Sequence, residues 1–422
     1  MIILSRKFLH DILFAFFALF IFSSAFSIAI AQISLGLSLV LFLILVVTTR
    51  CNPFVRSLKW FYIFVALYIF WLLLSALVGP TPLRSVWIAK EEWLFCAIPI
   101  GIFLFDFPRY RNKLIAAFGS GVMLVAIYGI VQHFTGFHWF KAIPPKTAPD
   151  YGYLACGNFS HSLTFGNYFS TAAVFLIGFA FGAYDKLNKS SLAFFIFSAL
   201  MGMIATVLSY SRGAILGLVM VLAVMGLILK RRYFLITFAI IAAIGITIVI
   251  AIPGITMRFT DKTEKDLGGI YEGGRVFIWK NSLKVIEEHP VFGVGQGNFR
   301  SAYTSHLRPD IPEKRKHAHA HNDLLNVAAV AGIPAMLAFL GMWIAAVSYF
   351  WKGWRMRHET GSDGIFSLAA LLGSLVFFVT SIFEATFADE EVRQMLMFIW
   401  AAGLRLWYKG VKHSELPLIK KP

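Results

Sequence analysis

Three histidines alternate with alanine in His317-Ala318-His319-Ala320-His321, and Asn322 and Asp323 follow directly. Imidazole changes charge near neutral pH, so a histidine in such a segment can take a proton from an attacking hydroxyl. His321 is the candidate general base. On an extended backbone, side chains two apart share a face, which would also gather the imidazoles around a metal ion. Against that reading, no other His, Asp or Glu group stands at recognisable ligand spacing beyond Asp323. The plain alternative is a polar start to a helix, capped by Asn322 or Asp323.

Two arginines carry a different chemistry. Arg212 lies in Ser209-Tyr210-Ser211-Arg212-Gly213, and Arg275 follows Gly273-Gly274. A guanidinium is a planar fork that matches phosphate oxygens. Glycines beside a helix start let the backbone approach an anion closely. Each arginine also has a bland reading: Arg212 as a side chain snorkelling to a membrane interface, Arg275 as a solvated loop charge. The sequence holds no Asp-x-Asp pair, and Asp389-Glu390-Glu391 reads as a solvated helix end. Metal-dependent transferases use such acids to hold a divalent ion on a diphosphate. Without them, cationic side chains must neutralise any diphosphate leaving group, which puts the weight on Arg212 and Arg275.

The elements that hold these residues are apolar. Of 422 residues, 58% are hydrophobic and 14% charged, against about a quarter charged in soluble domains. Runs long enough to cross a bilayer occur near 12–29, 33–48, 58–78, 92–105, 113–133, 164–184, 192–208, 214–229, 233–252, 323–350, 365–383 and 391–407. The fold expected is an all-α polytopic membrane protein of about twelve transmembrane helices. Lys and Arg cluster in alternate loops, at Arg50–Lys59, Arg109–Lys113, Lys186–Lys189, Lys230–Arg232, Lys352–Arg357 and Lys409–Lys421. The positive-inside rule then puts both termini in the cytoplasm. The formal net charge of +16 reflects these topology signals, and no aromatic-basic stripe points to nucleic acid.

Two outer segments are long, and both belong to a single membrane domain spanning the chain. Residues 134–163 are irregular, with Pro144, Pro145 and Pro149; residues 253–322 form the largest polar stretch, between the ninth and tenth spans. Within it, Arg275–Glu288 reads as an amphipathic helix, with Val276, Trp279, Leu283 and Ile286 on one face. His289-Pro290 ends it, and Gly293, Gly295 and Gly297 predict a flexible turn. They follow no strand, which argues against a dinucleotide site. Cys51, Cys96 and Cys156 are scattered and are assigned no role.

His319-Ala320-His321-Asn322, followed after nine residues by Gly332, resembles the signature of O-antigen ligases and the related O-antigen polymerases. Ser211-Arg212-Gly213 resembles the short arginine loop of that family. Gly273-Gly274-Arg275 and the run from His289 to Phe299 resemble the start of its large periplasmic loop. Pro334 and Ala335 depart from the pattern after the glycine and blur the line between ligase and polymerase.

The resemblance implies a GT-C-like glycosyltransferase of the bacterial inner membrane with its active site on the periplasmic face. It implies a metal-independent, inverting transfer with no cofactor. The donor would be O-antigen on undecaprenyl diphosphate, held among membrane lipids, and the acceptor the lipid A core oligosaccharide. His321 would be the base and Arg212 and Arg275 the diphosphate clamp, with His319, Asn322 and Gly332 in support. An O-antigen polymerase or a protein O-oligosaccharyltransferase would share these groups. A transporter is the reading from another class, and it would place ionisable groups near the bilayer midplane.

Overall fold

Long apolar runs can satisfy their own N–H and C=O groups without water by forming α-helices. The computed structural model describes residues 6–49, 52, 54–139, 144–149, 151–228, 274–357 and 363–410. Among them there is no strand, only an isolated antiparallel bridge between Thr147 and Tyr153. The expected span 233–252, the first part of the long loop (253–273, with Gly273), Cys51 and the tail beyond 410 lie outside the described residues.

The helices are α1 (Arg6–Ser23), α2 (Ile28–Thr49), α3 (Lys59–Val78), α4 (Pro82–Ala89), α5 (Ala97–Asp106), α6 (Pro108–Thr135) and α7 (Ser162–Gly182). They continue as α8 (Lys189–Leu208), α9 (Arg212–Ile228), α10 (Arg275–Glu288), α11 (Phe299–Ser305), α12 (Asp323–Arg355), α13 (Asp363–Ser381) and α14 (Glu390–Leu404). Seven of the described helices are long and apolar enough to cross a membrane: α2, α3, α6, α7, α8, α12 and α13. The remaining expected spans among the described residues are shorter or carry charge. α9 is apolar but short, α5 has 10 residues behind a 3-10 turn at Lys90–Cys96, and α14 has 15 with Glu390, Glu391 and Arg393. The first turn between helices falls at Ser24–Ser27, not between the expected runs 12–29 and 33–48, and Ala31 is buried within α2.

α7 and α14 form the centre of the bundle. The apolar window of α7 is 94% buried, and every residue of α14 from Val392 to Leu404 is buried. α2 and α3 lie at the edge and expose Ile33, Val47, Phe70 and Leu77, as helices that face lipid do. Glu92 and Arg393 form a buried ion pair of 3.0 Å. Arg393 also donates to the carbonyls of Phe387 and Ala388. It thereby fixes the loop between α13 and α14.

α12 is broken at Gly332 (φ 86°, ψ 167°). In an unbroken helix, Ala329 C=O would accept from residue 333, and Val330 C=O would find no donor in Pro334. Here Ile333 N–H turns to Pro290 C=O at 2.8 Å. The freed carbonyls of Ala329 and Val330 take the N–H groups of Val294 and Gly295 at 3.0 and 2.8 Å. The glycine-rich run is therefore a docked loop and not a flexible turn. Trp71 closes it from α3, donating its indole N–H to Val291 C=O at 2.9 Å.

A Cβ at Gly332 would lie 1.9 Å from Val291 O, on a backbone that L-residues rarely adopt. Gly332→Ala is expected to lower stability by roughly 3 kcal/mol. Thermal melts in detergent would read this, and an unchanged midpoint would show that the break is dispensable.

Candidate functional site

The site is built where α12 starts. Asn322 caps the helix: its backbone is extended (φ −164°) and its Oδ1 accepts Leu325 N–H at 2.9 Å. Its amide donates to Ile382 C=O, across in the loop after α13. The next residue, Asp323, is buried and accepts Phe387 N–H at 3.1 Å from the same loop. Two polar stitches and the Arg393 anchor thus set the 382–389 loop against the residue just before the cap, His321.

His321 has φ +49°, so the histidine run is not extended. Its carbonyl accepts the indole N–H of Trp279 from α10 at 3.3 Å. Among the described residues only Tyr210 and His321 are non-glycine residues with positive φ. Both stand in the segments that carry candidate site residues. Backbone strain of this kind, of order 1–3 kcal/mol, persists where surrounding structure enforces it and clusters at functional sites.

The ring of His321 is held at both nitrogens. Nδ1 lies 2.7 Å from Glu384 Oε2, and Nε2 lies 3.2 Å from His317 Nδ1. Glu384 Oε1 accepts from Arg275 Nη2. A carboxylate accepts only, so His321 carries its proton on Nδ1 and presents a lone pair at Nε2. His317 then donates from Nδ1. The side chains of Glu384, His321 and Arg275 are 7%, 14% and 19% exposed, so this chain of charges is only slightly screened.

Burial pushes the Glu384 carboxyl up, but the hydrogen bond from His321 and the charge of Arg275 outweigh it and hold the group below the usual carboxylate range. Glu384 is therefore ionised at neutral pH. Burial pushes His317 down to about 4 and His319 down to about 3 from an ordinary value of 6.5. Both stay neutral in the folded protein at pH values where an unfolded chain protonates them. The unfolded state then binds more protons, so stability falls as pH drops from 6.5 toward those values. Thermal melts at pH 7.5 and pH 5, about one unit either side of the ordinary histidine range, should show the lower midpoint at pH 5. His319→Gln should shrink that difference, and an equal drop in the variant would count against this origin.

Arg212 opens α9 and is half-buried. It adjoins the cluster through Gly213, where an added Cβ would lie 3.4 Å from Cβ of Phe383, the residue before Glu384. The structure thus gathers His317, His319, His321, Arg275 and Glu384 directly, with Arg212 alongside. His319 touches His321 by ring contact, 4.2 Å between centroids. Asn322 and Gly332 shape the backbone. Among the described residues, no group of three His, Cys, Asp or Glu side chains is arranged to hold a metal ion. The facing ring nitrogens of His317 and His321 are turned on each other.

Two details differ from the sequence expectation. α10 has the expected bounds, but it buries Ile278, Ser282, Val285 and Ile286, while Leu283 is 46% exposed and Trp279 is turned to His321. Glu384 was not among the expected site residues. Its only local signal is a lone acid among Ile382, Phe383 and Ala385.

Chemically, the cluster can accept a proton at one ring nitrogen while a buried carboxylate stabilises the resulting imidazolium. Residues 193–340 match the family model described as O-antigen ligase. That stretch contains Arg212, Arg275, His319, His321, Asn322 and Gly332, while Glu384 lies beyond it. The chain is also 23% identical to an uncharacterised protein of Haemophilus influenzae over 334 residues, which is 75% of this chain and 79% of the relative.

Proposed function

We propose, since residues 193–340 match the family model described as O-antigen ligase, that the chain transfers O-antigen from undecaprenyl diphosphate to the lipid A core at the periplasmic face of the inner membrane. The observation that carries this reading is the Glu384–His321 pair, 2.7 Å apart and largely buried, with Arg275 on the same carboxylate. A buried carboxylate on Nδ1 leaves Nε2 as the base.

In the reaction, an acceptor hydroxyl takes the place of His317 Nδ1–H at His321 Nε2 and gives that nitrogen its proton as its oxygen bonds to the anomeric carbon. The bond from that carbon to the diphosphate breaks, and the electron pair leaves with the diphosphate. Attack from the face opposite the leaving group inverts the configuration. Arg212 and Arg275 meet the negative charge that develops on the diphosphate, where preorganised cations act most strongly. Glu384 keeps Arg275 oriented and stabilises imidazolium in the same moment. About twelve spans, with both termini in the cytoplasm, would set this cluster at the periplasmic membrane edge. There the donor's lipid tail stays in the bilayer while its head meets the site.

The test is reconstituted transfer from a defined carrier-linked glycan to lipid A core, with and without EDTA. Transfer that proceeds in EDTA supports the reading. Products in which glycan units are joined to one another, with none on lipid A core, would assign the polymerase activity instead.

A further inference from the structure

A second feature stands beside the cluster and takes no part in the chemistry above. An open cleft of about 410 Å³ lies between α4, α11 and the segment that leads into His317. It is lined by Arg84, Asn298, Arg300, Thr304, Glu313 and Lys316, among others. Its walls are tied together. Thr81 donates to Asn298 Oδ1 at 2.8 Å, and Ser85 donates to Gln296 C=O at 2.8 Å, so α4 is fixed to the docked glycine loop.

Three cations face this cleft against one carboxylate. Glu313 is shared between Arg300 and Lys316, and its side chain is 69% exposed, so an incoming anion can displace it. Arg84 makes no ion pair among the described residues and lies beside Gly297, where a Cβ would come within 3.3 Å of its Nε. Two surplus positive charges suit a dianionic phosphate monoester better than a single carboxylate. The hydroxyl groups of Ser301 and Thr304 on the same wall suit a sugar.

Position gives the cleft its use. Lys316 on its wall is followed at once by His317, whose Nδ1 lies 3.2 Å from His321 Nε2. Thr304 follows Tyr303, whose ring lies edge-on to His317 at 5.9 Å. The cleft therefore lies beyond His317, on the side of His321 away from Glu384 and Arg275. That is the side from which an acceptor hydroxyl must come.

We propose that this cleft is the acceptor's subsite and binds a phosphorylated sugar of the acceptor oligosaccharide, with Arg84, Arg300 and Lys316 on the phosphate. The assignment to the acceptor rests on His321 being the base. The binding itself does not, and it is tested apart from turnover.

The full-length protein in nanodiscs is titrated with deacylated core oligosaccharide, either with its phosphates or after phosphatase treatment. The wild type should bind the phosphorylated form about ten-fold more tightly, and Arg84→Glu or Lys316→Glu should remove that advantage. Neutral and anionic lipid nanodiscs, and inorganic phosphate as competitor, separate the other sources of the same chemistry. Equal affinity for the two oligosaccharides would overturn the proposal. So would equal competition by inorganic phosphate, or discrimination that appears only in anionic lipid. In a transfer assay, Arg84→Glu should raise KM for phosphorylated acceptor about ten-fold and leave KM for the donor alone. If His321→Ala keeps full transfer while the cleft still discriminates, the base assignment falls and the cleft stands. Loss of discrimination with an intact base gives the converse.

Discussion

Replacing His321 with alanine is expected to cut glycan transfer roughly a thousandfold while the protein still folds, which is the range a positioned general base supplies. The side chain makes two polar contacts, to Glu384 and to His317. Its loss leaves a small gap beside a carboxylate that Arg275 still pairs. Folding should survive for that reason: the helix cap is Asn322, and the loop stitches run through Asn322 and Asp323. The comparison variant is His319→Ala. His319 is neutral and offers its Nδ1 to the His321 backbone N–H at 3.4 Å. Its removal should cost about ten-fold or less, through loosening of the ring it touches. The measurement is initial rate in proteoliposomes at saturating donor and acceptor, alongside thermal melts of each variant. Equal losses in the two variants, or full activity without His321, would remove it as the base.

The sequence made the scaffold legible because hydrocarbon imposes a strong rule on it. Apolar runs must become helices, and the seven long ones found coincide with expected spans. α10 was readable at both ends, since Arg275 follows glycines and His289-Pro290 stops it. Its buried face was not. A helix in a polar loop buries whichever side its neighbours cover, and α12 and the docked loop cover Ile278, Ser282 and Val285. The glycines at 293, 295 and 297 read as mobile for a related reason. Local pattern gives positive φ, but the carbonyls that hold Val294 and Gly295 come from the broken α12, at Ala329 and Val330.

Long-range polar partners were hidden most completely. Glu92 and Arg393 are separated by 301 positions, and His321 and Glu384 by 63. A lone acid has no period, no spacing and no neighbour to announce it. Motif residues within 193–340 were visible because their spacing is itself a signal. Glu384, past the end of that stretch, becomes visible only when α13 brings it back to the start of α12.

Glu384→Gln should be the second large loss, and it tests the tautomer argument directly. Glutamine fills the same space, but its amide can donate as well as accept, so His321 is free to carry its proton on Nε2. In that tautomer the ring cannot take the acceptor's proton. The substitution also removes the charge that stabilises imidazolium and the partner that orients Arg275. A fall of roughly a hundredfold or more in kcat is expected, with a small change in KM, because the lost interaction acts mainly in the transition state. Aspartate at this position keeps the charge one methylene short and should recover part of the rate. Arg275→Lys separates the two duties of the carboxylate. Lysine keeps a cation beside Glu384 but loses the fork on the diphosphate, so the donor side suffers while His321 keeps its tautomer. If Glu384→Gln transfers glycan at the native rate, the carboxylate is a structural counter-ion to Arg275, and His321 must be held in its working form by something else.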